Sequence, residues 1–344
     1  MTMTWSLVST MLGVPETVLP CIAHHLNSDA ERLHIYLDAP LPQIEAALAA
    51  HPRCVVTVCD KAYWARIPGG RPDGIVRRQM ANVEHARRHS SSDWLVHVDS
   101  DEFLVSADPS KPLRLGEELE KVPAHHEWVR IAPMERVLPP APEPQSIFDG
   151  MFRDLSDDAE LIAAAYGEGA TYLKRGLSGH VRGKVGFRRQ TGLKVRLHDV
   201  IKPPRDGVDA PVVVSAKNLP PFTSLDSIRL LHFEGWSPLH WASKLVRFAE
   251  EGRFGHHSGR RASVRFMADH PVAEDRLGLF NRVQRLTPRG VALLAEANLL
   301  RQEPFDPATL TRNTFPGVDM DFGVDACDAR LRASSPDFYY RNDL

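Results

Sequence analysis

Short apolar runs alternate with longer amphipathic stretches over the first hundred residues, the pattern of strands joined by covering helices in a mostly parallel sheet. Residues 5–9 read as a first strand and 15–27 as a helix opened by Pro15. Residues 32–37 (RLHIYL) form a second strand, 41–50 a second helix and 53–58 (RCVVTV) a third strand. The Pro- and Gly-rich stretch 67–74 predicts a loop before a helix over 75–89. Residues 94–98 (WLVHV) predict a buried fourth strand, which stops at Asp99-Ser100-Asp101-Glu102. In an open α/β sheet, ligands bind at the loops beyond the carboxyl ends of the strands.

The middle of the chain is less regular. Residues 138–144 (LPPAPEP) can be neither helix nor central strand, which makes them an exposed connection. A helix is expected over 154–166. From Ser237 onward helices are expected over 239–251, 261–269 and 288–300, the last capped by Thr287 ahead of Pro288, with an irregular tail after them. The expected division is a catalytic α/β domain over 1–235 and a helical C-terminal region over 236–344.

Composition narrows the class without naming a ligand. The 344 residues are 43% apolar and 25% charged, an ordinary globular balance. Lys and Arg number 42 against 44 Asp and Glu, so no long-range field attracts a polyanion and nucleic acid is not an expected partner. No stretch has the apolar length of a spanning helix, and residues 1–20 lack the basic start and apolar run of a secretion signal. The expectation is a cytoplasmic protein, compatible with a membrane-peripheral location. Cys21, Cys54, Cys59 and Cys327 form no Cys-x-x-Cys pair and read as reduced thiols.

Candidate chemistry concentrates in WLVHVDSDEFL, residues 94–104, where three carboxylates crowd the end of a buried strand. Such crowding is costly unless a positive charge joins it, and hard oxygen donors suit Mg²⁺ or Mn²⁺. A capped turn is the alternative reading of the same residues. Asp319-Met320-Asp321 is an internal control, an Asp-x-Asp with no apolar strand before it. Asp38, closing the second strand, can accept a hydrogen bond from a base or ribose or simply form a turn before Ala39-Pro40. Arg77, Arg78 and Gln79 can face a diphosphate from the start of the 75–89 helix.

Eight basic residues lie in the segment 181–205: Arg182, Lys184, Arg188, Arg189, Lys194, Arg196, Lys202 and Arg205. Most are expected to coat a surface, with Lys184 or Arg188 reaching an anionic ligand. A general base for an acceptor hydroxyl is sought among Glu135, Glu234 and Asp199, with Glu135 the choice. Gly69-Gly70 lacks the strand, loop and helix of a phosphate cradle.

The WLVHVDSDEFL segment resembles the strand-plus-DxDEFL signature of glycosyltransferases related to the family 2 and family 92 groups, enzymes of the GT-A fold. His24-His25-Leu26 with His34-Ile35-Tyr36-Leu37-Asp38, the pair Arg78-Gln79, and Leu231-His232-Phe233 with Lys244 are similar to further segments of that family. The chain departs from it after the first strand, where Met11-Leu12-Gly13-Val14-Pro15-Glu16 stands in place of Lys-Asn-Glu.

The resemblance implies a GT-A-like, Rossmann-like α/β fold and a sugar transfer that depends on Mn²⁺ or Mg²⁺. The donor would be a nucleotide sugar, a UDP-sugar by expectation, and the acceptor a hydroxyl of a glycan or lipid-linked molecule. It further implies a metal held by Asp99, Asp101 and a later histidine, His232 with His198 second, and a donor contacted by Arg78, Gln79 and Asp99, to which the reading of the residues adds Asp38 and Lys184. The rival readings are a Mg²⁺-dependent nucleotidyl or phosphoryl transferase and a non-catalytic glycan-binding scaffold.

Overall fold

The computed structural model describes residues 3–202, 219–255 and 257–344. In chain order the strands are β1 (Trp5–Met11), β2 (Arg32–Leu37), β3 (Cys54–Val58), β4 (Trp94–His97), β5 (Glu102–Ser106) and β6 (Trp128–Val137). They continue with β7 (Met151–Arg153), β8 (Lys184–Arg188), β9 (Lys194–Val195), β10 (Val200–Ile201), β11 (Thr223–His232) and β12 (Leu300–Arg301). The chain forms two compact units. One is built from Met1–Ala132, Arg182–Leu230 and Leu310–Val318, the other from Pro133–Val181, Leu231–Thr309 and Asp319–Leu344. The units interleave along the chain and do not divide at residue 235, because β6 and β11 each contribute residues to both.

In the first unit, β4, β1, β2 and β3 lie side by side and parallel, with Val8 opposite both His97 and His34 and Leu37 opposite Val58. Beyond β4 the sheet turns antiparallel through β8 and then β6. The α/β class read from the sequence is therefore present, with its parallel part confined to four strands. Since β2 lies on one side of β1 and β4 on the other, the chain reverses its winding direction at β1. In sheets of this kind ligands bind beside the carboxyl ends of the strands at that reversal.

Strand β1 is buried at every position, as a central strand covered on both faces must be. Two of its polar residues are bonded internally: Ser6 to Ser92 at 2.7 Å, and Thr10 to Asn82 at 2.9 Å. Strand β3 is the outer strand of the parallel set and is only half-buried, which leaves Cys54 partly exposed while Cys21, Cys59 and Cys327 are buried. The helix Ile75–His89 starts at Gly74, whose φ of 77° needs a residue without a side chain. It buries Gln79, Asn82, Val83 and Ala86, one face at helical spacing. Val83 and Ala86 pack with Val8, Leu95, Val185 and Phe187 in the core of this unit.

In the second unit, β6 pairs with β7 from Glu135 onward, and β7 pairs with β12. Pro133 sits in β6 between its last β8 partner, Ile131, and its first β7 partner, Glu135. A residue with no N–H is tolerated where the ladder changes partners. The helices Pro238–Glu250, Ser258–Asp269, Ala273–Gln284 and Pro288–Glu296 bury Trp241, Leu245, Val264, Leu279, Val283 and Leu294 in one cluster.

Several expected boundaries move. The helix expected over 154–166 begins at Ala159, where Asp158 accepts a hydrogen bond from the Leu161 N–H at 2.9 Å. Ala273–Gln284 was not anticipated, and the tail is helical over Pro307–Thr314, Val324–Ser334 and Pro336–Arg341. Helix Val324–Ser334 buries only Cys327 and Leu331, too narrow a stripe to show as a period in sequence. Thr287 caps Pro288–Glu296 as expected, accepting from the Gly290 N–H at 3.0 Å. Arg205 lies outside the described residues.

His34, on β2, is 4% exposed, and burial together with His85, His89 and Arg32 lowers its proton affinity to about 4. A histidine that stays neutral when folded contributes stability that is present above its unfolded value of about 6.5 and is lost as pH falls toward the folded value. Urea titrations between pH 7 and 5 are expected to show stability falling by up to about 1.4 kcal/mol per pH unit from this residue, and His34→Leu is expected to flatten that slope.

Candidate functional site

The acidic turn follows directly from β4. Asp99 lies two residues beyond the strand, and its backbone N–H donates to Glu102 Oε2 at 2.7 Å, which closes the turn. Glu102 is fully buried; Asp99 and Asp101 are each partly exposed. Lys184, the first residue of β8, sends a fully buried side chain to the turn, with Nζ 2.6 Å from Asp99 Oδ2 and 3.2 Å from Glu102 Oε2. Gln79, carried by the helix Ile75–His89, donates to the other Asp99 oxygen at 2.5 Å. Both oxygens of Asp99 thus have donors from the protein itself.

The electrostatics follow this geometry. Burial alone would raise the Asp99 carboxyl, but the Lys184 ammonium, with smaller effects from His97 and His198, holds it well below the usual carboxylate range. Burial alone would lower the Lys184 ammonium, and Asp99 and Glu102 together raise it. Both groups are charged at neutral pH.

At the end of β2, Asp38 is buried and accepts from Arg78 Nε at 2.9 and 3.1 Å, with Arg78 Nη2 at 2.9 Å. Arg71, from the loop before the helix, approaches the same carboxylate at 3.6 Å and is half-exposed. Asp38 therefore holds arginines at the sheet edge and does not present a bare carboxylate to a base or ribose. Gln79 likewise holds Asp99. Arg71 was missed in the sequence, because nothing in a Gly/Pro loop signals which strand end it returns to.

The basic segment divides by burial. Lys184 is inside, and its ammonium is engaged by Asp99 and Glu102 where the sequence suggested contact with a diphosphate. Arg188 lies over the Trp94 ring and donates to the carbonyls of Val122 and His126. Asp199, a proposed base, is buried between Arg130 and Arg182. His198 Nδ1 lies 2.7 Å from the Gly183 carbonyl, which can only accept, so Nδ1 carries a proton.

His232, Glu135 and Glu234 belong to the second unit. His232 Nδ1 is 3.8 Å from Glu135 Oε2, and Nε2 is 3.5 Å from Glu234 Oε2. Glu135 is fully buried; Arg153 donates to Oε1 at 2.5 Å, as do the Ser178 N–H and hydroxyl at 2.9 Å, and the Gly179 N–H donates to Oε2 at 2.6 Å. Burial would raise this carboxyl, and Arg153, His232 and the Ser178 N–H together outweigh it, leaving Glu135 below its usual range. Glu234 is also lowered: burial is overcome by Arg260 and Lys244.

Carboxylates so satisfied are poor proton acceptors, so the Glu135 and Glu234 expectations of a general base do not match their surroundings. The two with His232 have the donor set of a metal centre, but Arg153 and Arg260 already neutralise both carboxylates. Arg153 had no sequence signal. Its partner is set by the antiparallel register that puts Glu135 opposite it.

No family model matches the chain, and no curated protein matches it significantly. Among solved structures it is similar to the glucosyl-3-phosphoglycerate synthase of Mycobacterium tuberculosis in complex with Mn²⁺ and uridine-diphosphate-glucose, at 16% identity and a TM-score of 0.28, over 55% of this chain and 57% of that one. It is also similar to the bifunctional IspDF of Campylobacter jejuni, at 11% identity and a TM-score of 0.27, over 54% of this chain and 41% of that one. The chain spans just over half the length of the synthase it matches and less than half of IspDF. The architecture therefore stands on its own strand order and register.

In the second unit, a Cβ added at Gly179 would lie 2.6 Å from Glu234 Oε2, 2.7 Å from Glu135 Oε2 and 2.7 Å from His232 Cε1. Gly179→Ala is expected to destabilise the fold by about 1–3 kcal/mol by overpacking. Glu135→Ala, which strands the buried Arg153 guanidinium, is expected to cost about 3–5 kcal/mol. Urea unfolding at neutral pH measures both; a loss below about 0.5 kcal/mol for either contradicts the packing described.

Proposed function

We propose that the chain is a divalent-cation-dependent glycosyltransferase that takes its sugar from a nucleoside diphosphate donor, a UDP-sugar, and passes it to a hydroxyl of a glycan or lipid-linked acceptor. The observation that carries this reading is the acidic turn Asp99–Asp101 at the carboxyl end of β4, beside the winding reversal of the parallel strands. The arginines held by Asp38 at the end of β2 add the complementary charge. A polyanionic ligand that also carries a metal suits a site with cationic and carboxylate groups on one sheet edge.

The donor chemistry fits a hard cation at the turn. Asp101 is partly exposed and offers carboxylate oxygens, the ligands Mn²⁺ and Mg²⁺ prefer. Asp99, bonded through both oxygens, would act through a water molecule. When bound, such a cation neutralises charge that builds on the departing nucleoside diphosphate. Arg78 and Arg71 would meet the diphosphate oxygens, with Asp38 fixing the Arg78 fork so that little side-chain freedom is lost on binding. Gln79 and Lys184 keep the turn in one conformation.

The test is titration calorimetry with UDP, GDP and ADP, each with and without Mn²⁺. UDP is expected to bind only with the metal, and Asp101→Ala to remove binding. Arg78→Ala is expected to weaken UDP about tenfold or more, the loss of one charge-assisted contact. If no nucleoside diphosphate binds under any condition, the transferase reading is wrong.

A further inference from the structure

The side chain of Lys184 is fully buried, on a strand antiparallel to β4, and its ammonium bridges Asp99 Oδ2 and Glu102 Oε2 at 2.6 and 3.2 Å. A cation held by two carboxylate oxygens at the end of a buried strand has the charge and the ligands of a bound metal ion. It is, however, covalently part of the chain and cannot leave. Gln79 fills the second oxygen of Asp99, and the Asp99 N–H is a second donor to Glu102 Oε2.

We infer that Lys184 is a built-in counter-cation that withholds Asp99 and Glu102 from divalent metal. Two consequences follow from charge alone. With the ammonium present, the approaching metal meets a turn whose buried acids are largely neutralised, so its affinity for the free protein is low. With the ammonium removed, the Asp99 and Glu102 carboxylates lose their cation and recruit the metal in its place. Lys184 is then a positioning residue that tunes the metal and does not touch the donor.

This inference rests on the turn being the cation site of the proposed transferase, yet its readout is metal binding without nucleotide. Mn²⁺ binding is measured by electron paramagnetic resonance of the free ion, with Mn²⁺ alone as the probe, on the full chain. Lys184→Met, which keeps the apolar stem and removes the charge, is expected to tighten Mn²⁺ about tenfold or more. Adding Asp99→Asn and Glu102→Gln to it is expected to abolish that gain, while Lys184→Arg, which retains a cation, is expected to stay within about threefold of the parent.

Unchanged or weaker Mn²⁺ binding in a folded Lys184→Met chain overturns the inference, as does an absence of Mn²⁺ binding in parent and variant alike. Should Lys184→Met fail to fold by circular dichroism, single substitutions decide. Asp101→Asn is expected to lose Mn²⁺ about thirtyfold and Asp99→Asn less than about threefold, and equal losses overturn the inference. A chain that binds Mn²⁺ in this pattern but no nucleoside diphosphate would keep the inference and refute the transferase reading.

Discussion

The ion pair between Lys184 and the Asp99–Glu102 turn is the constraint on which the arrangement of the first unit depends. Three acidic residues at the end of an apolar strand repel one another, and two of them cannot be withdrawn from water without a cation beside them. Antiparallel β8, laid against β4, supplies that cation from inside the sheet. Gln79 ties the helix Ile75–His89 to the same carboxylate, so a sheet strand, a helix and a turn meet at Asp99. Asp101, two residues along the chain, is partly exposed.

The same logic governs buried acids in the second unit, with arginine in place of lysine. Glu135 is matched by Arg153, and Glu234 by Arg260 and Lys244. A buried carboxylate that has acquired a guanidinium and backbone donors is fixed in its charged form, which makes it a strong structural tie and a weak base. Residue type alone does not separate these roles. Glu135 in sequence is an acid following an apolar run; only its partner across the β6–β7 ladder shows that the acid belongs to the framework.

Much of the first unit was legible because its elements carry strong local signals. Strand β2 and the helix Ile75–His89 fall where the apolar pattern and the flanking turn residues put them. Strand β6 was not anticipated, and its Pro133 lies between the residues that pair with β8 and those that pair with β7. The helices of the tail were hidden because Val324–Ser334 buries little of its surface, and a helix with a thin apolar stripe looks like a loop until its neighbours are known.

Sequence by itself determined the α/β class, the succession of parallel strands and the location of the acidic turn, since each follows from periodicity and from residues adjacent in the chain. It also marked Asp38, Arg78, Gln79, Asp99, Asp101 and Lys184 as residues of interest. Tertiary structure alone decided which partners Asp38, Arg78, Gln79, Asp99 and Lys184 meet. Lys184 is 85 residues from Asp99 in the chain and 40 separate Asp38 from Arg78. Whether a charge faces a ligand or an internal partner depends on such long-range register, and no local pattern of residues encodes it.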